Sequence, residues 1–134
     1  MDNATLQQLN KEELSFIFNR KGSGVRRATV ISAYIEWQIF YIASIFLESR
    51  NVVYDPEPTQ EYRQSLNILK TNKILGQDKL KNLEEFRKQR NKSIHGIFKG
   101  MTRDQWGQQN KLVIDIGRPI VKNLNEVINK VLNP

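Results

Sequence analysis

The segment "VISAYIEWQIFYIASIFL", residues 30–47, limits how this chain can fold more than any other feature. Its large apolar side chains occupy two rows of a helix: Ile31, Ile35, Ile39 and Phe46 in one, Tyr34, Trp37, Tyr41 and Ile45 in the other. A helix that is apolar over so much of its circumference needs more cover than one neighbouring helix provides. We therefore expect this helix at the centre of a bundle or in a contact between two copies, and a homodimer is the economical explanation.

The same segment is about as long as a helix that crosses a bilayer, which needs roughly 20 residues. Glu36 and Gln38 lie near its middle, where a charge is costly in lipid. The first residues, "MDNATLQQLNKEELSF", contain no apolar signal core, and the chain has no cysteine, which disfavours a secreted scaffold. We expect a cytoplasmic protein that does not bind a membrane.

The other apolar patterns are also helical, and no segment sustains the period of two that strands need. The predicted fold is all-α: one domain over residues 1–134, folded as a four- to five-helix up-and-down bundle. The predicted helices run from Asn3 or Thr5 to about Asn19, from Val25 to Arg50, from Thr59 to an end or bend at Gly76, and from an N-cap at Asp78 to Gly96.

The C-terminal helix is predicted to be kinked. Apolar residues recur about every four positions from Leu112 to Leu132, and this stripe continues through Gly117 and Pro119. The preceding segment, "KGMTRDQWGQQ", is polar and contains two glycines, so it is predicted to be a loop.

The charge of the chain favours a polyanionic partner. There are 21 Lys and Arg residues against 14 Asp and Glu, a formal net charge of +7 that attracts RNA or DNA. One histidine and no cysteine exclude zinc sites built from those residues, and no glycine-rich phosphate loop is present. We therefore expect no metal and no cofactor.

The single histidine lies in "RNKSIHG", five residues after Arg90. One role for His95 is structural, since a cation at a helix C-terminus interacts favourably with the helix dipole. Gly96 is predicted to end the helix in the left-handed conformation. On one helix Arg90 and His95 point about 140° apart, but two copies related by a two-fold axis would line one basic cleft with both pairs.

Arg90, four intervening residues and His95, at the end of the penultimate long helix, resemble the signature of the HEPN family. Asn91 matches the polar residue that often follows the arginine in this family. HEPN proteins are four- or five-helix bundles that dimerise, and many are metal-independent endoribonucleases of toxin–antitoxin, phage-defence or RNA-processing systems. The resemblance implies a homodimeric RNA-cleaving toxin or defence effector, with an antitoxin protein as a further partner. One branch of HEPN toxins has a tyrosine two residues after the histidine, where this chain has Ile97.

The resemblance also implies a role for each site residue. RNA supplies its own nucleophile, the 2′-hydroxyl, so cleavage needs a base, an acid and a cation at the phosphate but no metal. His95 is the predicted base or acid, and Arg90 holds the phosphate. Asn91 orients the phosphate or ribose, and Glu36 positions Arg90 or His95 from the long helix. The residues predicted to bind flanking phosphates are Arg87, Lys88, Lys92 and Lys99.

The sequence leaves open two alternatives from other functional classes. The first is a catalytically inactive HEPN-like dimer that binds RNA or a protein, for which mutation of Arg90 or His95 would leave binding intact. The second is a DNA-binding regulator. The sequence disfavours this class because "RKGSGVRR" leads into an apolar helix rather than a polar recognition helix.

Overall fold

The computed structural model describes residues 24–96 and 100–132, and all regular structure within these ranges is helical. The elements are α1 (Gly24–Glu48), a short 3₁₀ helix (Pro58–Gln60), α2 (Glu61–Thr71), α3 (Gln77–His95) and α4 (Arg103–Leu132). The predicted all-α class is confirmed for the described part of the chain. The helix predicted between Asn3 or Thr5 and Asn19 lies outside the described residues.

Helix α1 is the centre of the fold, as its apolar pattern predicts. It packs along α4 and also against α2, while α3 packs against α4. Ile31, Ile35 and Ile39 are almost completely buried, and each contributes roughly 1.5–3 kcal/mol by leaving water. The rest of the core comes mainly from the other helices: Leu69, Leu75, Leu83, Phe86, Val113, Ile120, Val121, Leu124 and Ile128.

The segment Arg27–Glu48 of α1 is the one described helix that is long and apolar enough to cross a membrane. Its polar midpoint, Gln38, is fully buried, and its Nε2 donates a hydrogen bond of 2.9 Å to the backbone carbonyl of Val121 on α4. A buried amide is costly unless it is hydrogen-bonded, so this bond fixes the register between the two central helices.

Helix α2 ends earlier than Gly76, so that part of the prediction is wrong. Lys73 adopts a left-handed backbone with φ 54°, and the N–H of Ile74 donates to the carbonyl of Leu69 at 2.9 Å. This is the Schellman pattern, which satisfies the last carbonyls of a helix and stops it. Helix α1 ends in a similar way, with Asn51 at φ 61°.

The N-cap of helix α3 lies two residues before the predicted cap. Its N-cap is Gly76, with an extended backbone (φ −75°, ψ 168°) and no side-chain cap, and Asp78 lies in the first turn. The prediction of an Asp78 N-cap is therefore wrong. An acidic residue in the first turn still stabilises the helix, because it faces the positive end of the helix dipole.

At the other end of α3, Gly96 is right-handed (φ −56°, ψ −45°), so the predicted left-handed cap is wrong. A Cβ atom at Gly96 would lie 2.6 Å from Met101 Sδ and 2.8 Å from Trp106 Cδ1. The glycine therefore allows the start of α4 to pack closely on the end of α3.

The loop predicted at "KGMTRDQWGQQ" is in large part helix, since α4 begins at Arg103. A capping box starts it: Gln105 N donates to Thr102 Oγ1 at 3.2 Å, and Thr102 N donates to Gln105 Oε1 at 3.0 Å. Helix α4 then continues through Gly117 and Pro119, as the apolar stripe predicts.

Candidate functional site

A cleft of about 200 Å³ opens where α1, α3 and the first turns of α4 meet, next to Arg90. Much of its wall is apolar, including Ala28, Ala33 and Ile94. A cavity of this size is below the usual range for drug-sized ligands, so it suits one small chemical group. A second cavity, of about 310 Å³ beside Pro119, contains none of the residues predicted for the site.

Arg90 and Glu36 meet at this cleft, although 54 positions separate them in the chain. Arg90 Nη1 lies 3.6 Å from Glu36 Oε1, and the two side chains are 21% and 41% exposed. An ion pair this long and this accessible to water stabilises the fold by less than about 1 kcal/mol. Its main effect is positional, because it ties the guanidinium of α3 to the central helix.

Asn91 holds the same guanidinium from the other side. Arg90 Nη2 donates a hydrogen bond of 3.2 Å to Asn91 Oδ1, and Asn91 is exposed. The Nε atom of Arg90 is buried and has no hydrogen-bond partner among the described residues. An arginine has five N–H donors, so further donors remain for an anion after these two contacts.

His95 is the last residue of α3 and is exposed. It does not line the cleft, and it forms no hydrogen bond or ion pair with the described residues. One protomer therefore does not bring Arg90 and His95 together, as their angle of about 140° on a helix predicts. His95 remains free to interact with a second molecule.

The predicted RNA-binding residues divide into three groups. Lys88 and Lys92 are exposed one turn apart on α3. Arg87 is half-buried, with its guanidinium 4.3 Å from the centre of the Tyr62 ring. Lys99 lies outside the described residues.

Ser93, Trp106 and Asn110 are among the cleft residues that were not predicted from the sequence. Trp106 Nε1 donates a hydrogen bond of 2.6 Å to the carbonyl of Ser93. Ser93 Oγ and Asn110 Nδ2 are buried without a hydrogen-bond partner in the described structure. The sequence contains one indication for Ser93: it lies three residues after Arg90, which places both side chains on one face of the helix. The sequence contains no such indication for Trp106 or Asn110, because the segment up to Gln109 was predicted to be a loop.

The charged groups around Arg90 also influence the pKa of Tyr62 on α2. Burial raises the pKa of the Tyr62 phenol, and the positive charge of Arg87 acts in the opposite direction. The charges of Glu36 and Arg90 also act on this phenol. Tyr62 therefore lies within one electrostatic cluster with the Arg90–Glu36 pair.

The described residues contain no group of three His, Cys, Asp or Glu side chains that could hold a metal ion. Comparison with protein-family models, with curated proteins and with solved structures finds no significant match to this chain. The residues of the cleft and of α3 are therefore the basis for a functional proposal.

Proposed function

We propose that this protein is a metal-independent endoribonuclease that acts as a homodimer with a composite Arg/His site. The observation that carries the proposal is the arrangement at the end of α3. Arg90 is held beside a cleft by Glu36 and Asn91, and His95 is exposed five residues further along the helix. A fixed guanidinium and an accessible imidazole are the groups that cleavage through the 2′-hydroxyl needs.

The proposal includes a HEPN-like bundle in which α4 is kinked at Pro119, and membership among toxin or phage-defence effectors of the cytoplasm. The order of the helices and the position of the Arg90–His95 motif at the end of α3 support this bundle. Pro119 has no N–H for the carbonyl four residues earlier, and its ring crowds that carbonyl, which is the usual cause of a helix kink.

In the proposed reaction, one His95 imidazole removes the proton of the 2′-hydroxyl, whose oxygen attacks the adjacent phosphorus. The bond from phosphorus to the 5′-oxygen breaks, and this oxygen takes a proton from water. The hydroxide left behind takes the proton from the His95 imidazolium, so each site needs one histidine and one arginine. Arg90 stabilises the negative charge that develops on the phosphate oxygens, and Glu36 keeps Arg90 in place. The products are a 2′,3′-cyclic phosphate and a 5′-hydroxyl.

Partly uncovered apolar residues support the dimer. Trp37 and Tyr41 stack with their ring centres 5.0 Å apart, and both remain partly exposed on α1. In the loop after α1, Val52 and Val53 are 46% and 90% exposed. A second copy of the chain would cover such residues, and in a toxin system an antitoxin protein would be a further partner.

The test is incubation of the purified protein with a pool of single-stranded RNA in EDTA. We expect cleavage that leaves 2′,3′-cyclic phosphate and 5′-hydroxyl ends, because no step requires a metal. RNA with 2′-O-methyl groups is the matched control and should stay intact, since it lacks the nucleophile. Cleavage that stops in EDTA, or that leaves 5′-phosphate ends, would contradict the mechanism.

A second candidate is an inactive HEPN-like dimer that binds RNA or a protein. The observation that favours it is that His95 neither lines the cleft nor contacts Arg90 within one protomer. In this case RNA would bind without formation of cyclic-phosphate ends. Replacement of His95 by alanine would then leave binding unchanged.

The role of Glu36 can be tested separately with Glu36→Gln. The amide keeps the size of the side chain but loses the charge that holds Arg90, so we expect cleavage to slow about tenfold. The midpoint of thermal unfolding should change by less than about 3 °C, because the pair is partly exposed. Glu126→Gln, which removes an exposed carboxylate of α4 outside the cleft, is the control and should change neither quantity. Equal cleavage rates for both variants would remove Glu36 from the site.

A further inference from the structure

An open groove lies between α2 and α3 and shares no lining residue with the cleft. It encloses about 900 Å³. Four cationic side chains line it, Arg63, Lys70, Lys81 and Arg87, against one carboxylate, Glu84. The groove forms because α2 packs mainly on α1 and α3 mainly on α4, so the two helices make few contacts with each other.

The positive charge of the chain is concentrated in the segment that contributes the groove. Residues 61–95 contain nine Lys and Arg against four Asp and Glu, which is +5 of the total +7. Arg63, Lys70 and Lys81 are exposed, and none forms an ion pair with the described residues. Like charges in one groove repel each other, and this repulsion is relieved when an anion binds.

The groove has features of a nucleic-acid site besides charge. Leu66 and Leu80 contribute apolar surface to its lining. The guanidinium of Arg87 stacks over the Tyr62 ring at 4.3 Å. Apolar side chains and guanidinium planes can pack against unpaired bases while lysines hold the phosphates.

The groove also leads towards the Arg90–Glu36 pair. Arg87 and Arg90 are three residues apart on α3, so they are neighbours on the helix surface. Tyr62 lies close enough to Glu36 and Arg90 to feel their charges. A chain bound in the groove would therefore reach Arg90 after about one helical turn.

We propose that the groove between α2 and α3 binds single-stranded RNA through its phosphates and guides the strand to Arg90. A concave groove between two helices fits a single strand better than the convex surface of a duplex. The identification of the polyanion as RNA rests on the proposed function. The affinity for a polyanion rests on the groove itself.

The test measures binding of fluorescein-labelled, single-stranded 2′-O-methyl RNA by fluorescence anisotropy at several salt concentrations. This RNA cannot be cleaved through the 2′-oxygen, so binding is measured apart from catalysis. The groove variant replaces Arg63, Lys70 and Lys81 by alanine. The control variant replaces three exposed lysines of α4, Lys111, Lys122 and Lys130, and removes the same charge.

We expect the groove variant to bind the RNA at least about tenfold more weakly near 0.1 M salt. The plot of the logarithm of the association constant against the logarithm of the salt concentration should become less steep by about 2. The control variant should lose less than about threefold in affinity, since it removes charge but no phosphate contact. Circular dichroism should show that both variants keep the helical content of the wild type.

Equal losses for the two variants would overturn the proposal, because they would show an effect of net charge alone. Full RNA affinity in the groove variant would also overturn it and would assign the groove to another partner, such as an acidic protein. Equally tight binding of the matching duplex would overturn the single-strand preference. Cleavage of unmodified RNA, measured in parallel, separates the proposed RNA-binding groove from the proposed ribonuclease activity. Binding that depends on the groove, without any cleavage, would support the groove and contradict the activity.

Discussion

Replacement of either Arg90 or His95 by alanine is expected to lower the rate of RNA cleavage in EDTA at least about 100-fold. In the proposed mechanism, His95 supplies proton transfer and Arg90 stabilises charge on the phosphate. The fold should survive both changes, because His95 is exposed without hydrogen bonds to the described residues, and loss of Arg90 leaves Glu36 accessible to water. The measurement compares cleavage rates and thermal unfolding with those of Gln108→Ala, an exposed control on α4.

Mixing these two inactive variants tests whether the site is shared between protomers. If the Arg90 of one chain works with the His95 of the other, a heterodimer has one intact pair out of two. Half of the dimers in an equal mixture are heterodimers, so co-expression should restore about a quarter of the wild-type activity. A mixture as inactive as its components would contradict a site that needs one arginine and one histidine in trans.

The position of α1 was predictable because its sequence encodes it directly. Ile31, Ile35 and Ile39 repeat at the helical spacing, and nothing polar interrupts that row. The second row is buried at Tyr34 and only partly covered at Trp37, within the described chain. Periodicity therefore predicted which helix is central, but it could not predict how much of the second row a single chain would cover.

The cleft could not be predicted because the wall that α4 forms depends on where this helix starts and on a tertiary contact at Gly96. Thr102 and Gln105 start α4 through a capping box, but the segment is polar and has glycine on both sides. Gly96 follows the general rule for a helix end, yet its role is to admit the side chains of Met101 and Trp106. Only the folded chain shows that a small residue is needed there.

The position of the positive charge was likewise not predictable from the sequence. The sequence predicts a basic protein, but the cations of α2 and α3 are far apart in the chain, as Arg63 and Lys81 illustrate. They line one surface because each helix packs on a different partner. Net charge therefore predicted a polyanionic ligand, and the fold was needed to propose a surface for it.

Gly117→Ala is expected to destabilise the protein by about 2 kcal/mol or more and to lower the unfolding midpoint by roughly 5–10 °C. Gly117 is buried in α4 where α1 and α3 both approach. A Cβ atom there would lie 2.5 Å from Ile31 Cγ2 and 2.9 Å from Phe86 Cε2. Both neighbours are almost completely buried, so neither can move without displacing other core residues. Thermal and urea unfolding, followed by circular dichroism, measure the loss.

Gly107→Ala is the matched control, because it makes the same substitution in the same helix. A Cβ atom at Gly107 would meet nothing within 4 Å, so only the helix preference of alanine changes, and we expect a gain of about 0.5–1 kcal/mol. The same preference acts at Gly117, where contact with Ile31 and Phe86 must exceed it. Opposite signs for the two variants would therefore measure how tightly the three helices meet. A stabilising Gly117→Ala would contradict that close packing, and with it the fixed spacing between the helices that carry Glu36 and Arg90.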